Sequence, residues 1–160
     1  MKKKLKFTLF NLGLVLACPA ISADHFAKII AVNAYKAPYG SHYIFNATIK
    51  SSDRDCQHYV NWWEAVSEKG ELLYRRILVH PHSKEQPFNR GGSGVLQSID
   101  KKAFFYVRAH MHPFGYSRNG MKGSLKTGFE PVIIPNGFAN NLEEQGQLPS
   151  YCDPSLDQAR

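Results

Sequence analysis

Phe104-Phe105-Tyr106-Val107-Arg108-Ala109-His110-Met111 is the stretch whose reading decides the fold. Phe105, Val107, Ala109 and Met111 stand at alternate positions, and all four are apolar. A period of two places them on one face of an extended chain, so the stretch predicts a strand with one face in a core. The same alternation occurs in His42–Lys50, where Tyr43, Phe45, Ala47 and Ile49 share a face. Phe26–Tyr35, Tyr59–Val66 with Trp62 and Trp63, Leu72–Val79, Val95–Ile99 and Leu125–Ile134 are further apolar, partly β-branched runs that predict strands. Turn residues separate them: Pro38-Tyr39-Gly40-Ser41, Ser67-Glu68-Lys69-Gly70-Glu71 and Gly91-Gly92-Ser93-Gly94. Pro81 and Pro87 bracket a segment expected to be irregular, because proline cannot donate to a ladder. Pro113–Ser124 reads as a glycine-rich loop. From Pro135 onward Asn, Gln, Gly and Pro dominate, which predicts a tail without regular structure.

Short strands with frequent turn signals and almost no helical periodicity predict an all-β, antiparallel β-sandwich. The 160 residues suit one domain, and the 43% hydrophobic fraction suits an ordinary core. No apolar run reaches the ~20 residues of a membrane-spanning helix. Lys2, Lys3, Lys4 and Lys6 precede a short apolar stretch, Leu5–Ala17, and small residues follow to Ala23. That is the pattern of a secretory signal peptide. The expected organisation is therefore a leader over 1–23, a sandwich domain over 24–134 and the irregular tail over 135–160. Without the leader, 20 − 4 = 16 basic residues face 13 acidic ones, net +3 rather than +7. The nucleic-acid reading that a basic chain invites loses its main support. Arg75-Arg76 and Lys101-Lys102 read as solvated charges.

Two processing routes are open. Cleavage after Ala23 gives a soluble periplasmic or extracellular protein. Leu14-Val15-Leu16-Ala17-Cys18 instead looks like a bacterial lipobox, in which Cys18 would carry a lipid anchor. Either route removes Cys18 from folding and leaves Cys56 and Cys152, an even pair expected to form a disulfide after export.

Asp100-Lys101-Lys102-Ala103-Phe104-Phe105-Tyr106-Val107-Arg108-Ala109 resembles the penultimate strand of a fibronectin type III or immunoglobulin-like domain, where a polar corner leads into an aromatic-rich strand. The tryptophans on an earlier strand extend the likeness over about residues 25–134. The stretch His80-Pro81-His82-Ser83-Lys84-Glu85-Gln86-Pro87-Phe88-Asn89-Arg90 is similar to small secreted bacterial proteins of unassigned function. The first likeness implies an immunoglobulin-like sandwich, and neither implies an activity.

Enzyme motifs are missing. Gly91-Gly92-Ser93-Gly94-Val95 carries Val95 where a nucleophile elbow needs glycine, and Met121 stands where a phosphate loop needs lysine. Asp53-Arg54-Asp55 reads as a turn with local charge pairing. The histidines are more informative. His80-Pro81-His82 and His110-Met111-His112 are H-x-H units at strand ends, and residues i and i+2 of an extended chain point to the same side. In an immunoglobulin-like order, the strands ending at Val79 and near Met111 flank the one beginning near Tyr59. His58, His80, His82, His110 and His112 are then expected near one rim, two strands or ~9–10 Å apart. Imidazoles suit copper, zinc or nickel. If Trp63 is the core tryptophan, His58 shares the outer face with His110 and His112; if Trp62 is, His58 points inward. Glu85 is read either as a fourth ligand or an acceptor that orients an imidazole N–H, or as a carboxylate that accepts backbone N–H bonds or pairs with Arg90 and holds the loop. Met111 is expected in the core rather than on a metal.

Three functions follow as expectations: a non-enzymatic binding module for an unknown protein or small ligand, a copper- or zinc-binding protein, and a metal-dependent enzyme using His side chains with Glu85.

Overall fold

The computed structural model describes residues 27–39, 42–93 and 99–157. The expected leader, with Cys18 and the expected cleavage site at Ala23, lies outside them, as does the strand expected at Val95–Ile99 apart from Ile99. Among the described residues nine strands form two antiparallel sheets. The smaller is ordered β1-β2-β5, from β1 (Lys28–Lys36), β2 (Tyr43–Lys50) and β5 (Phe88–Ser93). The larger is ordered β4-β3-β6-β8-β9, from β3 (Tyr59–Ser67), β4 (Leu72–Ile77), β6 (Phe105–His112), β8 (Asn119–Ser124) and β9 (Gly128–Ile133). A two-residue β7 (Gly115–Tyr116) also pairs with β6. The fold is all-β and sandwich-like, and β3 lies between β4 and β6 as expected.

Alternation builds the core. Phe105, Val107, Ala109 and Met111 of β6 meet Phe45, Ala47 and Ile49 of β2 between the sheets, with Val60, Trp63, Ala65 and Phe88. The Phe45 and Phe105 rings stand edge-to-face, 6.0 Å apart. Trp63, fully buried, is the core tryptophan. A bulge between Val60 and Trp62 interrupts the alternation of β3 toward its start, so the face of His58 does not follow from that of Trp63. The β3–β4 hairpin closes as its glycine suggests: Gly70 has φ +85 and donates to the Ser67 carbonyl at 2.9 Å.

Two expectations need correction, and glycine explains both. The segment between Pro81 and Pro87 is irregular as expected, but the supposed turn that starts at Gly91 belongs to β5, paired with β2 from Ile49↔Phe88 to Ile44↔Ser93. The supposed loop Pro113–Ser124 holds β8. In both, glycine serves close approach rather than turning. A Cβ on Gly92 would lie 1.9 Å from the Tyr74 hydroxyl, and one on Gly123 would lie 2.0 Å from the Gly128 carbonyl oxygen. The last strand accordingly begins at Gly128, not Leu125.

The outer face of the large sheet is covered as well. Every residue of β3 from Tyr59 to Val66 is buried, which requires cover on both faces. The tail supplies it. Its described residues form two 3-10 turns, Asn140–Glu144 and Pro154–Leu156, and they lie against the sheet. Leu142 is buried, and the Cys56–Cys152 disulfide fixes its far end as expected. No helix among the described residues is long and apolar enough to cross a membrane.

Candidate functional site

Beneath the tail lies a buried charge network. Glu64 and Arg108 project from neighbouring strands to the outer face, opposite the core face of Trp63 and Ala109. Arg108 Nε donates to Glu64 Oε1 at 2.8 Å. Arg75, on the other side of Glu64, donates to Oε2 from Nε at 2.8 Å and from Nη2 at 2.6 Å. All three side chains are at most 2% exposed. Their remaining N–H groups reach tail carbonyls: Arg108 donates to Phe138 and Ala139, and Arg75 to Leu142, Gln145 and Gln147. Arg108 also lies over the Tyr116 ring at 3.5 Å, and Arg75 over Trp62 at 4.6 Å. Burial, with the Glu64 charge, raises the Tyr116 pKa above the ordinary tyrosine value. Arg75 is thus no solvated charge, whereas Arg76, Lys101 and Lys102 are exposed.

His110 belongs to this face. Its ring stacks on Trp62 at 3.8 Å. Nε2 lies 2.8 Å from Glu143 Oε1 of the tail, and Nδ1 lies 2.6 Å from the Asn61 carboxamide. Burial lowers its pKa from 6.5 to about 4, against the opposing pull of Glu143. At neutral pH the ring is uncharged and has one N–H to give; donated from Nε2 to Glu143, it fastens the tail.

The other histidine unit lies elsewhere. After β4 the chain crosses from the large sheet to the small one, and the crossing buries His82 completely. The ring stacks on core Phe88 at 3.9 Å and stands 4.3 Å from the His80 ring. Asp53 organises this corner. Its Oδ1 accepts from Val60 N at 3.0 Å and Ser51 Oγ at 2.7 Å, and its Oδ2 accepts from His82 N at 2.9 Å. It is a buried anchor, more than the turn residue expected. His82 Nδ1 is 3.6 Å from Asp53 Oδ2, too long for a hydrogen bond, and neither ring nitrogen has a hydrogen-bond partner. Burial holds the His82 pKa below the usual histidine value.

The five expected histidines therefore do not gather at one rim. His80 and His82 adjoin, whereas His110 faces the opposite side of the large sheet. His112 is half-buried at the end of β6, opposite Tyr59. His58 Nδ1 lies 3.5 Å from Asp55, with its ring 5.6 Å from Phe114. Glu85 pairs with Arg90, the loop-holding arrangement. Among the described residues no group of three or more His, Cys, Asp or Glu side chains is placed to hold a metal ion.

A third feature lies where the two sheets part. Among the described residues β1 pairs with β2 alone and β9 with β8 alone, so both present an edge. Between them runs a groove of about 420 Å³, lined by Ile29, Ile30, Pro131, Val132 and Ile133 beside Lys28. Ile30 is 45% exposed and Ile133 60%. The alternation of β1 hints at this surface; the partnership with β9 is long-range and leaves no local signal. For the charge network the available signal was Glu64 and Arg108 on outward positions of otherwise apolar strands.

No family model matches the chain, and no solved structure does. One protein of Halomicrobium mukohataei, named "Putative lipoprotein", is 28% identical over 109 residues. The match takes in 68% of this chain but 48% of that protein, so the chain spans about half the length of the relative it matches.

Proposed function

We propose that the chain is an exported, non-enzymatic β-sandwich module that binds an extended, apolar-rich polypeptide segment in the groove between β1 and β9. The observation that carries this reading is the groove itself. Large aliphatic side chains stand exposed between two strand edges that have no paired neighbour on that side among the described residues. Such an edge takes an added strand through main-chain hydrogen bonds, and adjacent apolar side chains select alternate residues of the guest. An apolar guest suits the lining, and an acidic residue at its end suits Lys28. The basic, apolar leader supports export, as does the name of the relative. The large buried polar groups under the tail are consumed in holding it, which leaves the groove as the better contact surface.

The test is selection from a random 12-residue peptide display library on immobilised protein. Enriched peptides should carry alternating β-branched or aromatic residues. Ile133→Glu should lose them while its melting temperature stays unchanged, because the side chain is mostly exposed. No enrichment over blank resin, or equal enrichment by the variant, overturns the reading.

A further inference from the structure

The chain carries two Asn-Gly pairs, Asn119-Gly120 and Asn136-Gly137, and the fold treats them in opposite ways. In such a pair the glycine nitrogen can reach the asparagine carboxamide with little obstruction, because glycine has no Cβ to crowd the approach. Whether it does so depends on how firmly the surrounding backbone is held.

Asn119-Gly120 is held on both sides. It lies in β8, opposite Ile133 and Val132 of β9. Gly120 is buried, and a Cβ there would lie 2.6 Å from the Val107 carbonyl oxygen of β6. Ile134 N donates to the Arg118 carbonyl at 2.8 Å immediately before the pair. Turning Gly120 N toward the Asn119 side chain would break the β8–β9 ladder.

Asn136-Gly137 forms the corner of the turn that leads from β9 into the tail, closed by Phe138 N donating to the Pro135 carbonyl at 3.2 Å. Both residues are exposed, and a Cβ on Gly137 would meet nothing within 4 Å. Among the described residues Gly137 N donates to no acceptor. The next two residues present their carbonyls to Arg108, and the Phe138 ring packs against Tyr106 at 4.8 Å. The turn therefore sets the path by which the tail enters the buried charge network.

We propose that Asn136-Gly137 is a site of spontaneous deamidation, and that its isoaspartyl product slackens the hold of the tail on Arg108. Gly137 N gives up its proton and attacks Asn136 Cγ. The N–Cγ bond forms, the Cγ–Nδ2 bond breaks, and the side-chain nitrogen leaves as ammonia. Water then opens the cyclic imide. Opening at Cγ gives aspartate; opening at the backbone carbonyl gives isoaspartate, whose chain runs through the former side chain. Either product exchanges a neutral amide for a carboxylate, and water is the only co-reactant. Isoaspartate also inserts one carbon into the backbone, ~1.5 Å of added length. That length enters directly before the two carbonyls that Arg108 takes, so they can no longer both keep their places. The site does not depend on the peptide groove.

The test ages the full exported protein, disulfide intact, at mildly alkaline pH and compares it with fresh protein. Peptide mapping by mass spectrometry should show conversion of amide to acid at Asn136, with methyl transfer by an isoaspartate methyltransferase to that peptide. Asn119 should stay unconverted. No conversion at Asn136, or equal conversion at Asn119, overturns the assignment. Asn136→Gln, exposed and unable to close the five-membered ring, should abolish the methyl transfer. Hydrogen exchange over residues 138–142 should quicken in aged wild type and stay at the fresh level in equally aged Asn136→Gln. Unchanged exchange after conversion would overturn the effect on the tail. Asn136→Asp carries the new charge without the added carbon and should exchange like fresh wild type; exchange matching the aged protein would overturn the lengthening argument.

Discussion

Replacing Glu64 with glutamine keeps the shape of the side chain and removes its charge. The carboxylate accepts from Arg75 on one oxygen and Arg108 on the other, and all three groups are withdrawn from water. In Glu64→Gln one arm of the amide is an NH2 that meets guanidinium N–H groups donor to donor. One arginine keeps an acceptor and the other loses it, while two buried cations share no counter-charge. Breaking a buried pair by removing one partner costs about 3–5 kcal/mol. The tail carbonyls still solvate both guanidiniums, which places the expectation toward the lower end of that range. For a domain of this size the melting temperature should fall by about 10–20 °C. Urea denaturation followed by tryptophan fluorescence measures the loss, and hydrogen exchange over residues 138–147 should show the tail opening first. Arg75→Gln should behave similarly, and Arg76→Gln, its exposed neighbour, should stay within about 0.5 kcal/mol of wild type. A change below ~1 kcal/mol in Glu64→Gln, with tail protection intact, would refute the idea that this charge network fastens the tail.

Acid should loosen the same latch. His110 is held near 4, below its unfolded value of 6.5, so the unfolded chain binds the extra proton between those values. The stabilisation is complete above pH 6.5 and is lost as pH falls toward 4, roughly 3 kcal/mol at most; the slope should flatten in His110→Gln in urea melts at pH 7.5 and 4.5. Reducing Cys56–Cys152, whose partners are 96 residues apart, should lower stability by ~4–5 kcal/mol in the chain-entropy view, measured by melts with and without reductant. Gly123→Ala should destabilise by ~1–3 kcal/mol or more, because the new methyl meets β9 backbone that cannot move aside; equal stability would show that the β8–β9 ladder slides.

Elements whose apolar residues alternate were legible in the chain. β2 and β6 lie within a residue or two of their expected bounds, because one buried face imposes a period of two, and β3 and β4 do so as short apolar runs on either side of the Ser67–Glu71 turn. β5 and β8 were hidden by Gly91, Gly92, Gly120 and Gly123. Locally a glycine promises a turn, and only the Tyr74 hydroxyl or the Gly128 carbonyl, far away or across a hairpin, reveals why no side chain fits. The disulfide was legible from parity once the expected leader, with Cys18, was set aside. The histidine rim was only partly so. H-x-H spacing does place His80 beside His82, but the expected rim treats the strand ends as one surface. The crossing after β4 carries His82 to the core side while His110 keeps the outer face. The Arg75 side chain looked solvated because the tail that buries it arrives some 70 residues later.

The Cys56–Cys152 bond turns most of the domain into a covalent ring. β3 through β9 lie inside it, and β1 and β2 lie outside, on the N-terminal side. A protease nick at any one site between the two cysteines leaves the pieces joined. Tension applied between the two ends of the chain runs through the sulfurs and bypasses the large sheet, so only β1 and β2 can be drawn out, peeling from β5. A molecule tethered through its N-terminus would carry drag at just that seam, and β1 is also one wall of the groove. Pulling on the leader side therefore acts on the proposed binding edge while the rest of the sandwich stays closed.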